Sequence, residues 1–295
     1  MAKELIPNYD LAGITGQPVD YYAGKFSAYL AERYGYLQHM HRHNFYHLVL
    51  FTAGAGNHTI DFRQYPVKTN QVYFMTPGQV HAWNFSGEPD GFIINFSPNL
   101  FPSILLNPDY LEKLSLFSGI EGGVVCNISK SLAPVVNRLF EDLLSIYKEK
   151  PANHRDLFAV TLLQLLLRIE NECTGAPGKA VTAQRMVTFQ QFRKLINRHY
   201  RTEALPKAYA EMLYITPNHL NALCQDITGK TAGELIRDRI LLEAKRLLVN
   251  GEHQVSTIAD SLSFRDNSYF SRFFKKYAGV SPEEFRRKHR QNIQV

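Results

Sequence analysis

The stretch from Ile258 to Pro282 decides the fold of the C-terminal part of this chain, and it reads IADSLSFRDNSYFSRFFKKYAGVSP. Its apolar residues recur at the spacing of two short amphipathic helices, and the polar residues between them indicate a tight turn. The second helix carries polar and basic side chains on its outer face. Because a helix pair of this shape fits the major groove of DNA, the stretch predicts a helix-turn-helix unit.

The same pattern occurs once more, earlier in the chain. Before the turn the matching positions lie 49 residues apart, and they are Ala210, Leu213 and Ile215 with Ala259, Leu262 and Phe264. After the turn they lie 50 residues apart, and they are Leu220, Leu223, Gly229, Thr231 and Glu234 with Phe270, Phe273, Gly279, Ser281 and Glu284. Two copies are too few to build a solenoid. The repeat therefore predicts two helix-turn-helix units joined by a helix.

In the second unit, we expect Ser256 to cap the first helix, Ser263 to lie in the turn and Asp266 or Asn267 to cap the recognition helix. The buried face of that helix is expected to contain Tyr269 or Phe270, Phe273 and Phe274. Its outer face, which would contact DNA, contains Asn267, Ser268, Ser271, Arg272, Lys275 and Lys276.

These outer residues suit different parts of a duplex. Arg272 can pair with the O6 and N7 atoms of guanine, while the asparagine and the two serines can bond to bases or phosphate. Lys275 and Lys276 lie further along the helix, and we assign them to backbone phosphate. Arg272 is thus the residue expected to carry most sequence information.

In the first unit, Thr216 is the expected cap of the recognition helix and Pro217 its first residue. The DNA-facing residues would be Asn218, Asn221, Ala222 and Gln225. After this unit, Thr231 and Glu234 form a capping box that opens the connecting helix, and Asn250-Gly251 closes it. That helix would hold the two units at a fixed separation.

The run from Ile258 to Pro282 closely resembles the signature of the AraC/XylS family of bacterial transcription regulators, and the resemblance covers roughly residues 184–290. It implies that the paired units bind successive major-groove segments on one face of double-stranded DNA. It also implies an activator, with RNA polymerase as a partner. The first unit departs from the family, because Ala222 stands where an arginine is common and Asp226 would repel phosphate. We therefore expect the second unit to dominate the affinity.

Charge separates a DNA-binding domain from an ordinary helical domain with a basic face, which is the simplest alternative. The chain has 295 residues and a net charge of +6. Residues 185–295 carry a net +8, whereas residues 1–184 carry a net −2. This asymmetry indicates an acidic polymer as the partner of the C-terminal part.

Composition limits the remaining classes. We predict no membrane partner, because even the apolar run 157–169 is short and contains Gln164 and Arg168. The first residues lack the apolar core of a signal peptide, so we expect a cytoplasmic protein. The three cysteines lack metal-ligand spacing and are interpreted as reduced.

The chain is predicted to be an α+β multidomain protein, with an N-terminal cupin-like β-barrel and helical pair and a C-terminal all-α region. Short strands are expected at 47–52, 57–62, 71–75, 82–85 and 92–96, separated by turns at 54–56, 77–78 and 87–91. The predicted divisions are 1–128 for the effector-sensing domain, 129–172 for the helical pair, 173–183 for the linker and 184–295 for the DNA-binding domain. The helical pair is the expected homodimer surface, although its leucines can instead pack on the barrel.

Histidines in the strand-rich part resemble the two cupin motifs, H-x-H-x(3,4)-E-x(6)-G and P-x-G-x(2)-H-x(3)-N. The matching runs are His41-Arg42-His43 and Pro77-Gly78-Gln79-Val80-His81. Four positions depart from the motifs: His47 stands at the glutamate position, Thr76 at the first proline position, Asn70 at the expected glycine position and Phe85 at the final asparagine position. The candidate effector-binding residues are His41, His43, His47, His81 and Trp83. Because imidazoles also bind transition metals, a metal site is an alternative, which we place below an effector pocket. For Trp83, a ligand-stacking role and a buried core role are equally open, and His39 and His58 are expected to be exposed or structural.

The leading hypothesis is a DNA-binding transcription regulator controlled by a small-molecule effector in the barrel. It requires no cofactor, no catalytic residue and no metal. A second hypothesis is a metal-dependent cupin enzyme fused to a DNA-binding region, which bound redox-active metal and turnover would support. A third is a constitutive architectural DNA binder, for which base-facing residues such as Asn267 and Arg272 would be unnecessary.

Overall fold

The computed structural model of the chain describes residues 6–102, 104–105, 107, 110–117, 123–173, 183–251 and 253–290. Contacts divide these residues into two compact units, which we call the N-terminal unit, from Pro7 to Cys173, and the C-terminal unit, from Ala183. The linker predicted at 173–183 lies almost entirely outside the described residues. No helix within the described ranges has both the length and the apolar composition to cross a membrane.

The N-terminal unit combines strands with four α-helices and three short 3-10 helices among its described residues. Its strands are β1 (Asn8–Tyr9), β2 (Tyr21–Lys25), β3 (Arg42–His43), β4 (Tyr46–Ile60), β5 (Arg63–Pro66), β6 (Gln71–Met75), β7 (His81–Phe96) and β8 (Val125–Asn127). Its α-helices are α1 (Leu11–Thr15), α2 (Phe26–Leu37), α3 (Ala133–Glu149) and α4 (His154–Cys173). The main sheet has the order β2-β7-β4-β6-β8, with β5 paired to β4, while β1 and β3 form a parallel pair.

Two long strands form the centre of this sheet and correct the prediction of shorter ones. β4 and β7 each run through segments that we expected to be turns, and they pair antiparallel from Tyr46 opposite Phe96 to Ile60 opposite His81. The glycines that suggested turns belong instead to an irregular part of this strand pair. The register shifts twice between Phe51 and Ala55, where Gly54 lies in β4 and Gly91 of β7 is paired with Phe51. Gly91 adopts a φ of 150°, and a Cβ there would collide with the Leu50 carbonyl oxygen. Glycine thus lets the strands bend without ending. The helix α2 was not predicted at all.

Both faces of the sheet are buried, because alternate residues of one strand enter different cores. Leu48 and Leu50 of β4 belong to a core shared with α3 and α4, whereas Val49 and Phe51 belong to a core shared with α2. The buried leucines of the helical pair pack against the first of these cores and are Leu139, Leu143, Leu162, Leu165 and Leu166. The sequence left two roles open for the leucines of the helical pair, a dimer surface or packing on the barrel. These five leucines pack on the sheet.

The cysteines correct a further expectation. Cys126 of β8 and Cys173 at the end of α4 form a disulfide, with Cα atoms 5.8 Å apart. The expectation of three reduced cysteines was wrong because β8 and the end of α4 pack together, which brings together residues 47 positions apart in the chain. Cys224 remains a free, buried thiol, and burial raises its pKa to about 12.

The described part of the C-terminal unit is entirely helical. Its helices are α5 (Ala183–His199), α6 (Pro206–Met212), α7 (Pro217–Thr228), α8 (Ala232–Asn250), α9 (Val255–Ser261), α10 (Asn267–Ala278) and α11 (Pro282–Arg290). Helices α6 and α7 form the first predicted helix-turn-helix unit, helices α9 and α10 form the second, and α8 connects them. α11 follows the second unit and packs against α8. Arg286 of α11 donates to the backbone oxygen of Leu248 in α8 and to that of His253, which follows α8.

Most predicted helix ends are confirmed. Thr216 caps α7, Asp266 caps α10, and Thr231 with Glu234 forms the capping box of α8. The cap predicted at Ser256 is wrong, since α9 begins at Val255 and its N-cap, Gln254, makes no side-chain hydrogen bond. The N-cap thus lies two residues earlier than predicted, which places Val255 in the helix, where its side chain is buried.

Candidate functional site

The candidate DNA-binding surface is the outer face of α10. Phe270 and Phe274 are fully buried, so the helix has one orientation on the unit. That orientation leaves exposed five of the predicted DNA-binding residues, which are Asn267, Ser268, Arg272, Lys275 and Lys276, while Ser271 is half-buried. The pattern of exposure agrees with the sequence prediction except at Ser271 and at Phe273, which was expected to be buried and is half-buried. The individual contacts to DNA remain a prediction.

The two turns have the same backbone geometry, which extends the sequence repeat to the structure. Tyr214 and Ser263 each adopt a left-handed φ of 56°. In each turn the following residue donates its backbone N–H to a carbonyl five positions earlier, from Ile215 to Ala210 and from Phe264 to Ala259, both at 3.0 Å. The two helix pairs are consequently built in the same way, as the 49-residue offset predicts.

In the first unit, α7 presents fewer groups to a duplex than expected. Thr216, Pro217, Asn218 and Gln225 are exposed at or along α7. Asn221 is half-buried, and its Oδ1 accepts a hydrogen bond of 3.0 Å from the Ala232 backbone N–H, at the start of α8. This contact gives Asn221 a structural role that the sequence did not reveal.

The acidic residue of α7 is compensated inside the unit. Asp226 forms a salt bridge with Arg185 of α5. The predicted repulsion between Asp226 and phosphate is therefore weakened by a neighbouring cation. Sequence reasoning missed this pair because the partners lie 41 residues apart and nothing in the local pattern links them.

Two exposed residues were missing from the predicted DNA-binding surface. The sequence left open whether Tyr269 or Phe270 is buried. Phe270 is the buried residue, and Tyr269 is 52% exposed. His219 lies exposed near the start of α7, beside Asn218. Both residues lie in the first turn of a recognition helix, which contacts bases in helix-turn-helix proteins. This position in the sequence could have identified them as candidate DNA-binding residues.

The second candidate site is a buried group of five histidines in the N-terminal unit, which we call the histidine cluster: His41, His43, His47, His58 and His81. Two backbone hydrogen bonds of 2.9 and 2.8 Å join His41 to His81 and so bring the two cupin-like motifs together. The His41 ring centroid lies 4.0 Å from that of His81 and 5.0 Å from that of His43. His47 lies further out, 5.1 Å from His43.

His58 belongs to the cluster although the sequence did not single it out as a site residue. Its Nε2 atom lies 3.0 Å from Nδ1 of His81. The pairing of β4 with β7 places His58 opposite Trp83, and their rings stack at 3.3 Å. The cupin-like motifs do not include position 58, so only the strand register could have revealed it.

Burial keeps these imidazoles neutral. It lowers the pKa of His41 to about 4, against the raising effect of the hydrogen bond with the His39 carbonyl. It lowers the pKa of His47 to about 3, and the pKa values of His43, His58 and His81 also fall well below their usual range. A neutral imidazole has one nitrogen lone pair, and the hydrogen bond between His58 and His81 uses the lone pair of one of these two rings. The lone pairs that remain suit either a ligand that donates hydrogen bonds or a metal ion.

Trp83 occupies an aromatic core. It is 1% exposed, and both His58 and Phe85 stack on it. The edges of Phe26 and Phe51 also contact the indole ring. The structure therefore places Trp83 in the second of the two roles considered, that of a buried core residue.

Two protein-family models match the two regions described above. Residues 24–167 match a family model described as an AraC-like ligand binding domain, and residues 209–288 match a helix-turn-helix domain. The transcriptional activator RhaR of Enterobacter sp. (strain 638) is 22% identical over 254 residues, which cover 85% of this chain and 87% of RhaR. The activator RhaS of Pectobacterium atrosepticum is 23% identical over 254 residues, covering 83% and 86% of the two chains. The crystal structure of ToxT from Vibrio cholerae, bound to an unsaturated fatty acid, covers 91% of this chain and 95% of its own, with 13% identity and a TM-score of 0.41.

A sheet-rich ligand-binding domain followed by paired helix-turn-helix units defines a class of transcription regulators that bind DNA and sense a ligand. Within that class, the chain belongs to the AraC family. Its mixed α+β architecture and its two functional regions are those expected from the sequence.

Proposed function

We propose that this chain is a sequence-specific transcription activator whose C-terminal unit reads DNA through α7 and α10. The observation that carries the proposal is the outer face of α10, where polar and basic side chains remain exposed while Phe270 and Phe274 hold the helix in place. Arg272 suits base recognition, and Lys275 and Lys276 suit phosphate. As an activator, the protein would recruit or stabilise RNA polymerase at its promoters.

Selection from a random duplex pool tests this proposal. The full-length chain should enrich a motif in two parts, with centres about one helical turn apart, because two recognition helices read successive major-groove segments. The same selection with the Arg272→Ala chain should lose preference at one position of the motif. If the folded wild-type chain enriches no motif at low salt, the protein is not a sequence reader.

We further propose that a small-molecule effector binds at the histidine cluster and shifts the protein between two arrangements. Such an effector acts only by binding one arrangement more tightly than the other. Supporting this, the Nε2 atoms of His41, His43, His47 and His81 are buried without a hydrogen-bond partner. No Asp or Glu occurs among the buried polar residues of the described ranges, so the polar groups of the cluster are imidazoles.

Dimerisation is the third part of the proposal. α4 carries the exposed apolar residues Leu157, Val160 and Leu167, of which Val160 is 54% exposed. Together with the exposed Gln164 they follow the 3-4 spacing of a coiled-coil seam. Because a seam of this kind pairs with its own copy, we propose that two chains associate through α4.

A charge substitution in the seam tests the dimer. Val160→Lys should lower the molar mass measured by light scattering to that of one chain, since a buried lysine pair opposes association. Glu141→Lys on α3 also adds a lysine at an exposed position and should leave the dimer intact. A wild-type chain that is monomeric across the accessible concentration range would exclude this surface.

A further inference from the structure

The histidine cluster has an unusual arrangement of nitrogen atoms. One ring nitrogen from each of His41, His43 and His81 lies within 4.8 Å of the other two, and all three residues are buried. Their Nε2 atoms have no hydrogen-bond partner. A buried polar atom without a partner is costly, so three of them in one place indicate a missing ligand.

The protein holds the Nδ1 side of two of these rings, those of His41 and His81. Nδ1 of His41 lies 2.8 Å from the His39 carbonyl oxygen, which can only accept, so this nitrogen carries the proton and leaves Nε2 with a lone pair. Nδ1 of His81 lies 3.0 Å from the His58 ring, which orients the His81 imidazole. Partners that hold the far nitrogen of an imidazole are typical of metal-binding histidines.

His47 repeats this arrangement beside the other three. Its Nδ1 lies 2.7 Å from Oδ1 of Asn95, which accepts, and its Nε2 is again free. The His47 ring centroid lies 5.1 Å from that of His43 and 5.6 Å from that of His81. His47 therefore offers a hydrogen-bond acceptor next to the group of three.

We propose that His41, His43 and His81 bind one divalent first-row transition metal ion, of the class of Zn²⁺, Co²⁺ or Ni²⁺, through their Nε2 atoms. Imidazole nitrogens prefer these ions over Mg²⁺ or Ca²⁺, which take oxygen ligands. In a tetrahedral zinc site with bonds of about 2.0–2.1 Å, the nitrogens lie about 3.3 Å apart, so modest ring rotations from the present positions would close the site.

Three protein ligands leave one position of the ion open. Three neutral imidazoles do not offset its double positive charge, and no carboxylate belongs to the buried polar residues that the structure describes. An anionic oxygen ligand, such as a carboxylate or hydroxide, is therefore favoured at the open position. This inference rests on the effector site proposed at the cluster and deepens it, because the ion would take the three Nε2 atoms and an effector would bind the ion through such an oxygen.

Metal binding by the full-length chain tests the proposal directly. After treatment with a chelator and dialysis, the chain should bind one Zn²⁺, measured by equilibrium dialysis with elemental analysis, while Mg²⁺ at the same concentration should not bind. Zn²⁺ should also raise the thermal midpoint of unfolding, because a ligand of the folded state stabilises it. Absence of stoichiometric Zn²⁺ binding by the folded chain would overturn the proposal.

Variants locate the ion. His81→Gln should lower Zn²⁺ affinity by at least about tenfold, while His39→Gln, which keeps the backbone carbonyl that His41 uses, should bind as the wild type does. Binding that persists in His81→Gln, or that disappears only in His39→Gln, would place the ion elsewhere. Circular dichroism in the presence of chelator checks that each variant folds.

Spectroscopy of the unmodified chain keeps the test independent of folding defects. X-ray absorption of the Zn²⁺ form should show three imidazole nitrogens at about 2.0–2.1 Å. The visible spectrum of the Co²⁺ form should change when acetate is added, because the anion enters the open position. A zinc shell without imidazole would refute the ligand set, and an unchanged Co²⁺ spectrum would refute the open position. Since neither readout involves DNA, a failure here leaves the regulator proposal unaffected.

Discussion

At the scale of single residues, Arg272 and Lys275 lie on the same exposed face of α10 but are expected to do different work. Arg272 has the planar pair of donors that matches the guanine edge, whereas Lys275 is a point charge suited to phosphate. Their replacement should therefore have distinguishable effects on DNA binding.

Arg272→Ala should cost about 1–3 kcal/mol of binding free energy at its cognate base pair and should relax the preference there, because one bidentate contact is lost. Fluorescence anisotropy with duplexes altered at each position of the selected motif measures this. Arg287→Ala, which removes the same charge from an exposed position of α11, is the matched control. An unchanged sequence preference would remove Arg272 from base recognition.

Lys275→Ala should weaken binding to all duplexes alike and reduce the slope of log affinity against log salt by about one unit, since one phosphate contact releases about one counterion. Affinities at a series of salt concentrations give that slope. If affinity is unaltered at low salt, Lys275 does not contact the phosphate backbone.

At the scale of elements, the connecting helix α8 depends on a residue of the first recognition helix. Asn221→Ala removes the acceptor for the Ala232 backbone N–H, and the C-terminal unit should lose about 1 kcal/mol of unfolding free energy. Denaturant unfolding of the full-length chain measures the loss. Asn218→Ala, at an exposed position of the same helix, should leave stability unchanged and alter DNA recognition instead. Equal stability of the two variants would remove the structural role of Asn221.

The elements also show how far the sequence leads. Caps such as Thr216 and the Thr231–Glu234 box are local signals, so they could be predicted, and the repeat located both turns. The long strands β4 and β7 could not, because a glycine in a bulge resembles a glycine in a turn until the partner strand is known. The roles of Asn221 and His58 depend on contacts between elements that no local pattern encodes.

At the scale of the whole molecule, the disulfide lies in only one of the two units. Reduction of Cys126–Cys173 should lower the unfolding free energy of the N-terminal unit by about 2–4 kcal/mol, as expected for a loop of this length, because the unfolded chain regains freedom. Thermal scans with and without reductant should move the transition of this unit alone. Cys173→Ser should reproduce the shift without reductant, and an unchanged transition would show that the bond adds no stability.

Charge is also divided between the two units, since the net +8 of residues 185–295 contrasts with the net −2 of residues 1–184. This division could be predicted completely from the sequence, and it favours a nucleic acid partner for the C-terminal unit. Charge alone attracts any duplex, so it does not separate a sequence-specific regulator from an architectural DNA binder.

The affinity of the full-length chain for its selected duplex, compared with a scrambled duplex of the same length and composition, separates these two classes most directly. At a salt concentration of about 0.15 M, the selected duplex should bind at least about 10³-fold more tightly, because base contacts add to the phosphate contacts that both duplexes share. Comparable affinities for the two duplexes would contradict this expectation and would identify the protein as an architectural DNA binder.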